Sequence, residues 1–452
     1  MTVLLIALNE INFDHVQAYV GMGKLPALGR LIAEHGVTET TSEQSYEELE
    51  PWIQWVTAQT GLSLADHGVF RLGDIVHKDI PQIWEVLEAQ GLKVGAMSPM
   101  NAKNRCRNPA FFVPDPWTET PVTGSPLMKK FHQAIARSVN ENASSKMSAA
   151  SAFWLIAGLA AYAKPANYAR YVSFVASALR GRPWAKALVL DQVLADIFLS
   201  LAKRKSVDFA SLFLNAGAHI QHHYMFNSKA YSGSQRNPGW YISANLDPIL
   251  DVYEAYDAIV RQVREEFPQA RLLVATGLHQ DPHPETTFYW RFRDHAAFLA
   301  GMGIVSASVQ PLMSRDFVVK FATENEATVA AQRLAGVCSV DGTPLLEIEN
   351  RGLDLFVMLT WPHDIPADFQ YVVDNGPPAA FRDQVAFVAI KNGRHNGTGY
   401  LVDTGAHSVG NEKLPLRELP RRIAAACGAI WQDPNPETAR PTKARDARSV
   451  PA

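Results

Sequence analysis

Three histidines, His219, His222 and His223, fall within five positions of SLFLNAGAHIQHHYMF (211–226). They follow an apolar run that reads as a buried strand. Neutral imidazoles ligate a divalent cation when other donors join them; alone they form a polar, hydrogen-bonding loop. A second chemistry-bearing stretch is SEQSYEELEPWIQW (42–55), with Glu47, Glu48 and Glu50 beside Trp52, Gln54 and Trp55. Paired carboxylates next to aromatic platforms suit glycosidic-bond chemistry, one carboxyl as acid and the other as base or nucleophile. Glu10, in ALNEINF, is a further carboxylate that pairs with Glu47 or Glu50 in such a scheme. The same stretch also reads as a helix start, because acidic residues favour a helix N-terminus and Pro51 suits a first turn. Two more polar segments stand after strand-like runs. ATGLHQDPHPETTFYWRFRDH (275–295) carries His279, Gln280, Asp281 and His283 and reads as a turn-rich loop. MSPMNAKNRCRN (97–108) carries Asn101, Asn104, Arg105 and Arg107, suited to an anion or a sugar.

Elements must bring these groups together. TVLLIAL (2–8), LKVGAMSP (92–99), DFASLFLN (208–215) and ARLLVATG (270–277) are short apolar runs, as in strands buried on both faces of a parallel sheet. Helical spacing recurs at 24–35, 80–91 and 246–267. The alternation predicts an α/β, three-layer sandwich with a mostly parallel central sheet. Residues 125–205 lack strand signals and read as a helical insertion that caps the sheet. Residues 315–360 read as a small α+β insertion. The core is then 1–124 and 206–432, and 433–452, Pro-rich and charged, reads as a disordered tail.

The chain has 452 residues and a net charge of -3, which offers nucleic acid no electrostatic footprint. Cys106, Cys338 and Cys427 lie far apart and form neither a metal motif nor a disulfide framework, as in a reducing compartment. The N-terminus has no basic region before its apolar run and reads as a strand, so a cytoplasmic protein is expected. The uncharged run at 147–163 is at the low edge of a membrane span, which suggests a buried helix or one close to a membrane surface.

The order of segments resembles the alkaline phosphatase superfamily, in its type I phosphodiesterase and nucleotide pyrophosphatase branch. The first strand ends in ALNEINF, then come KLPALGRLIAEHG, TGLSLADHG, FLNAGAHIQHH, LLVATGLHQ and finally GRHNGTGYLVDTG. The resemblance covers about 2–120 and 205–410 and implies that fold, a hydrolase or group-transfer activity, and metal ligands at His219 and His395. It also implies a departure. The family's metal aspartates correspond to Asn9, Asn215 and Thr276, its next histidine to Gly277, and its nucleophile falls near Pro51, with Ser45 the nearest upstream hydroxyl. Two zinc ions need several anionic ligands, so the standard two-zinc site is not expected. What the residues offer is one divalent ion, zinc or manganese, on His219 and His395. His222 or His223 would complete it with an anion from Glu10, Glu47, Glu48 or Glu50.

The reading from sequence is therefore an enzyme with a rebuilt centre acting on a phosphorylated, sulfated or glycosyl small molecule or glycan. Its catalytic candidates are Glu10, Glu47, Glu50 and His223. Asn9, Trp52, Gln54, Asn101, Asn215, Gln221, His222 and Gln280 are its substrate-binding candidates. The alternatives are a metal-independent, glycosidase-like enzyme driven by the glutamates, and a binding protein that retains the pocket without turnover.

Overall fold

A computed structural model describes residues 1–43, 45–140, 148–312, 315–374, 376–406 and 413–432. The expected tail at 433–452 lies outside the described residues. The chain divides into two compact units, one of residues 1–232, 245–281 and 394–452, the other of 233–244 and 282–393.

The first unit is built on a sheet whose strands, in chain order, begin with β1 (Val3–Leu8), β2 (Thr38–Thr41), β3 (Val94–Met97), β4 (Phe111–Val113), β5 (Phe209–Leu214) and β6 (Arg271–Ala275). β1 is VLLIAL with all six residues buried, the composition a strand covered on both faces requires. It runs parallel to β5 over its whole length, from Val3 opposite Phe209 to Leu8 opposite Leu214, and parallel to β6 on its other side. β3 continues the parallel set beyond β5 and β4 beyond β3. Thr398–Asp403 runs antiparallel to both β6 and β2, and Lys413–Pro415 closes the far edge beside β2. The result is a mixed α/β architecture with a large, mostly parallel, eight-stranded sheet in the order Lys413–Pro415, β2, Thr398–Asp403, β6, β1, β5, β3, β4.

The first strand thus stands between two strands that arrive more than 200 residues later. The crevice beyond the carboxyl ends of the strands is where open α/β sheets bind ligands. Helices follow as their apolar spacing predicts. α1 (Phe13–Gly21) is capped by Asn12, whose side chain accepts the His15 N–H at 3.0 Å. α2 (Pro26–His35) and α3 (Pro51–Thr60) each start on a proline, the residue that gives up no hydrogen bond at a first turn. Between β4 and β5 the chain is helical, with Pro126–Asn140, Ala149–Tyr162, Tyr168–Leu179 and Ala185–Lys205. Ala216–Tyr224 follows β5 directly, and Pro248–Glu266 precedes β6.

The second unit has its own core around Trp290, Phe292, Phe317, Leu334, Leu355 and Phe381. An antiparallel four-stranded sheet, ordered Leu346–Asn350, Asp354–Leu359, Asp316–Lys320, Ser308–Pro311, packs with the helix Glu324–Ala335, which a capping box from Thr323 and Glu326 starts. The span 315–360 expected from sequence catches most of that sheet and lies inside the unit, which comprises 233–244 and 282–393. The segment read as a turn-rich loop is also different: His279–Phe292 is a 14-residue strand paired with Val385–Asn396 in a two-stranded sheet. Pro282 and Pro284 hide it from a strand template. A two-stranded ribbon has free edges on which a missing N–H costs little.

Candidate functional site

Leu8 is the last residue of β1, and the next two carry the site. Asn9 and Glu10 are 1% and 2% exposed. Glu10 is held in the left-handed region, at φ 61°, a conformation that costs a non-glycine residue of order 1 kcal/mol or more and persists only where surroundings impose it. The surroundings here are specific. The Glu10 N–H donates to the Thr276 carbonyl beyond β6, and its carbonyl accepts from the Gln280 N–H and from Gln221 Nε2 at 2.7 Å. Gln221 is fixed in turn by the Asn12 N–H and by the Tyr253 hydroxyl, which donates to its Oε1 at 2.6 Å.

This geometry aims the Glu10 carboxylate at two imidazoles. Its Oε2 lies 3.0 Å from His395 Nε2 and 3.3 Å from His222 Nε2, and the two nitrogens are 3.3 Å apart. Gln280 Nε2 donates to the same oxygen and to the Ala218 carbonyl. Asn9 Nδ2 holds the other carboxylate oxygen at 2.9 Å. Burial by itself would raise the Glu10 pKa. The positive field of His395 and hydrogen bonds from His222 and His395 outweigh it, leaving the carboxyl well below the usual range. Glu10 is therefore an anion at any working pH. Beyond His395, Glu50 Oε2 stands 3.9 Å from Nδ1, on the side from which carboxylates orient metal-binding histidines.

Tetrahedral bonds of about 2.0–2.1 Å place ligand atoms about 3.3 Å apart. The triangle of 3.0, 3.3 and 3.3 Å has that size, and Glu10, His222 and His395 form the one group of at least three such side chains with convergent donor atoms among the described residues. One carboxylate with two imidazoles is a donor set that zinc accepts with a position left open. The residues fit one divalent ion.

The metal pair expected from sequence is thus half replaced. His395 is in the cluster; His219 is not, and His222 takes its place. His219 and His222 stand three residues apart on Ala216–Tyr224, so they point to adjoining faces, and the rotation of that helix selects the later one. The His219 ring is solvent-accessible and packs edge-on to His223, with centroids 4.9 Å apart.

The positions where the resemblance expects aspartates form a neutral network. Asn9 Oδ1 accepts from Trp55 Nε1 at 2.7 Å, and Asn9 Nδ2 also donates to Asn215 Oδ1 at 2.8 Å. Two carboxylates at that separation would repel; two amides bond. Asn9 spends both amide hydrogens and one lone pair of its oxygen this way. At Thr276-Gly277 the backbone turns through φ +74° at Gly277, where a Cβ would come within 3.0 Å of the Trp55 ring. Only glycine suits that place, and it supplies no ligand.

Other sequence candidates lie elsewhere. Glu47 is exposed and accepts from Ser45 Oγ at 2.8 Å. Trp52 Nε1 donates to the Phe70 carbonyl at 3.1 Å. Gln54 is fully buried, and its Nε2 donates to the Glu48 carbonyl at 2.9 Å. Asn101 is fully buried and clamps two loops, accepting from the Gly73 N–H and donating to the Trp52 carbonyl. His279 and Asp281 pair at 3.0 Å, with Asn396 on the second Asp281 oxygen. Sequence reasoning missed Asp191. It accepts from the Tyr256 hydroxyl at 2.7 Å and from the Ala216 N–H at 2.9 Å, anchoring the start of the histidine helix, and burial pushes its pKa up to about 6. Tyr253 and Tyr256, three apart on one helix face, were the only signal for this support.

No family model and no curated protein matches the chain. Solved structures do. Phosphonoacetate hydrolase from Sinorhizobium meliloti 1021, in complex with phosphonoformate, is 11% identical with a TM-score of 0.43, over 94% of this chain and 96% of that one. Human ectonucleotide pyrophosphatase/phosphodiesterase 5 is 9% identical at 0.42, over 96% of each chain. Alkaline phosphatase PafA is 10% identical at 0.44, over 96% of each. All three are alkaline phosphatase superfamily proteins. The order of motifs in this chain resembles the same superfamily.

Proposed function

We propose that this chain is a metal-dependent hydrolase of phosphate, phosphodiester or sulfate esters, with one divalent ion on Glu10, His222 and His395. The observation that carries the reading is the ligand-sized triangle of 3.0, 3.3 and 3.3 Å at the carboxyl end of the central strand. A divalent ion held there supplies Lewis acidity toward an ester oxygen and acidifies water. The chain's own residues do the rest. Asn9 and Gln280 keep the Glu10 carboxylate in place. Gln221, itself held by Tyr253, imposes the left-handed turn that points it. Glu50 stands behind His395 to orient the ring. His219, exposed on the same helix, is the nearby imidazole assigned to proton exchange in this reading. The nucleophile of the resembled family falls near Pro51, which starts α3, so water is the attacking group in this reading.

A glutamate-driven glycosidase scheme fits less well. A general acid at neutral pH needs a raised pKa, and Glu10 has the reverse. The test is a screen of p-nitrophenyl phosphate, bis(p-nitrophenyl) phosphate, p-nitrophenyl sulfate and p-nitrophenyl glycosides, with protein loaded with zinc or manganese and with chelator-treated protein. Turnover of a phosphate or sulfate ester that chelation abolishes and metal restores is expected. Glycoside turnover indifferent to chelation would sink the proposal.

A further inference from the structure

The helical segment between β4 and β5 has a charge and a surface unlike the rest of the chain. Residues 121–190 contain nine lysines and arginines and one acidic residue, Glu141, a net of 9 − 1 = +8. The remaining residues then carry 33 − 44 = −11. Lys129, Lys130, Arg137, Arg180 and Lys186 are all exposed.

Two consecutive helices of this segment turn apolar stripes outward. On Ala149–Tyr162, Ala149, Phe153, Ile156 and Ala160 are exposed at the i, i+4, i+7, i+11 spacing of one helix face. Phe153 is 60% and Ile156 69% exposed. On Tyr168–Leu179 the same spacing exposes Tyr168, Val172, Val175 and Leu179, the last at 84%. Single exposed apolar side chains are ordinary, but two helical stripes of them mark an interaction surface. Residues 148–163 contain no charge, yet no helix among the described residues is long and apolar enough to cross a membrane.

We propose that this helical segment docks peripherally on an anionic lipid surface, with the Phe153/Ile156 and Val172/Leu179 stripes entering the headgroup boundary and the exposed lysines and arginines meeting lipid phosphates. Charge chooses this occupant. Lys164 and Arg182 are paired with Glu266 and Asp251 outside the segment, but a second copy of the chain would still set the exposed Lys129, Lys130, Arg137, Arg180 and Lys186 against their own like, whereas anionic lipid offers both the opposite charge and an apolar layer. The inference is independent of the metal site.

The test is flotation of the full chain with vesicles of phosphatidylglycerol, of phosphatidylcholine, and of a mixture. The paired variants are Val172→Asp with Leu179→Asp, and Lys129→Gln with Lys130→Gln and Arg180→Gln. All of these positions are exposed, and unchanged circular dichroism melting confirms folding. Binding to phosphatidylglycerol is expected, about tenfold or more above phosphatidylcholine, weakened by raising salt and lowered about tenfold by either variant set. No flotation with phosphatidylglycerol overturns the proposal. Equal binding to both lipids overturns it too, as does a dimer that Val172→Asp with Leu179→Asp dissociates while vesicles stay bare. Capture by heparin that only the charge variants abolish, without flotation, assigns the face to a soluble polyanion and likewise overturns it.

Discussion

Glu10→Gln is the sharpest perturbation of the site. The replacement has the same shape, so the hydrogen bonds from Asn9 and Gln221 and the left-handed backbone can remain. What goes is the charge that faces His395 at 3.0 Å and His222 at 3.3 Å. Two effects follow, of different size. Without metal, the variant loses charge-assisted bonds to imidazoles that are 12% and 33% exposed. The new amide also turns its NH2 toward one of the two donors that held the carboxylate, Asn9 Nδ2 or Gln280 Nε2, and the stability loss is about 1–2 kcal/mol. With metal, the only anionic ligand of the cluster becomes an amide carbonyl, a poor donor to zinc. Removing mere supporting partners of a ligand costs 10–100-fold in affinity, so losing the ligand itself costs on the order of 100-fold or more, about 3 kcal/mol. Calorimetric titration with zinc or manganese measures the second effect, and urea unfolding in chelator measures the first. An affinity within about threefold of wild type, in a variant that folds, would refute the assignment of Glu10 as a ligand.

His222→Ala should abolish stoichiometric metal binding, while His219→Ala leaves it within about tenfold by the same titration, because only His222 belongs to the triangle; the opposite ranking would restore the pair expected from sequence. His67 gives a stability test away from the site. It is fully buried, its Nδ1 accepts the Val69 N–H at 3.0 Å, and burial first, then Lys78, lowers its pKa from 6.5 to about 4. A depressed folded-state pKa means stability present above pH 6.5 and lost as pH falls toward 4. The full loss is about 3 kcal/mol. His67→Gln should flatten the urea-midpoint profile between pH 7 and 5 by about 2 kcal/mol, and an unchanged slope would show that another group is responsible.

The parallel sheet was legible because strands covered on both faces leave nothing but apolar runs, as VLLIAL and FASLFL show. The long strand His279–Phe292 was not, since a ribbon with free edges tolerates prolines and charges that a buried strand cannot. Within the site, Glu10 and His395 could be singled out because each sits beside a strand end in a recognisable order of motifs. The exchange of His219 for His222 could not. It depends on how the helix after Asn215 is rotated, and that rotation is set by Asp191 and Tyr256, which lie far away in sequence. Asn101 misled for a different reason. A polar residue in a loop after a strand serves a ligand or the loop's own backbone equally well, and here it serves the backbone.

The most direct test of the account is anomalous diffraction from crystals grown with zinc or manganese, recorded at the edge of that metal. One strong peak is predicted within about 2.0–2.3 Å of Glu10 Oε2, His222 Nε2 and His395 Nε2 together. A peak bound elsewhere, or none at saturating metal, would contradict the claim that these three residues form a metal centre.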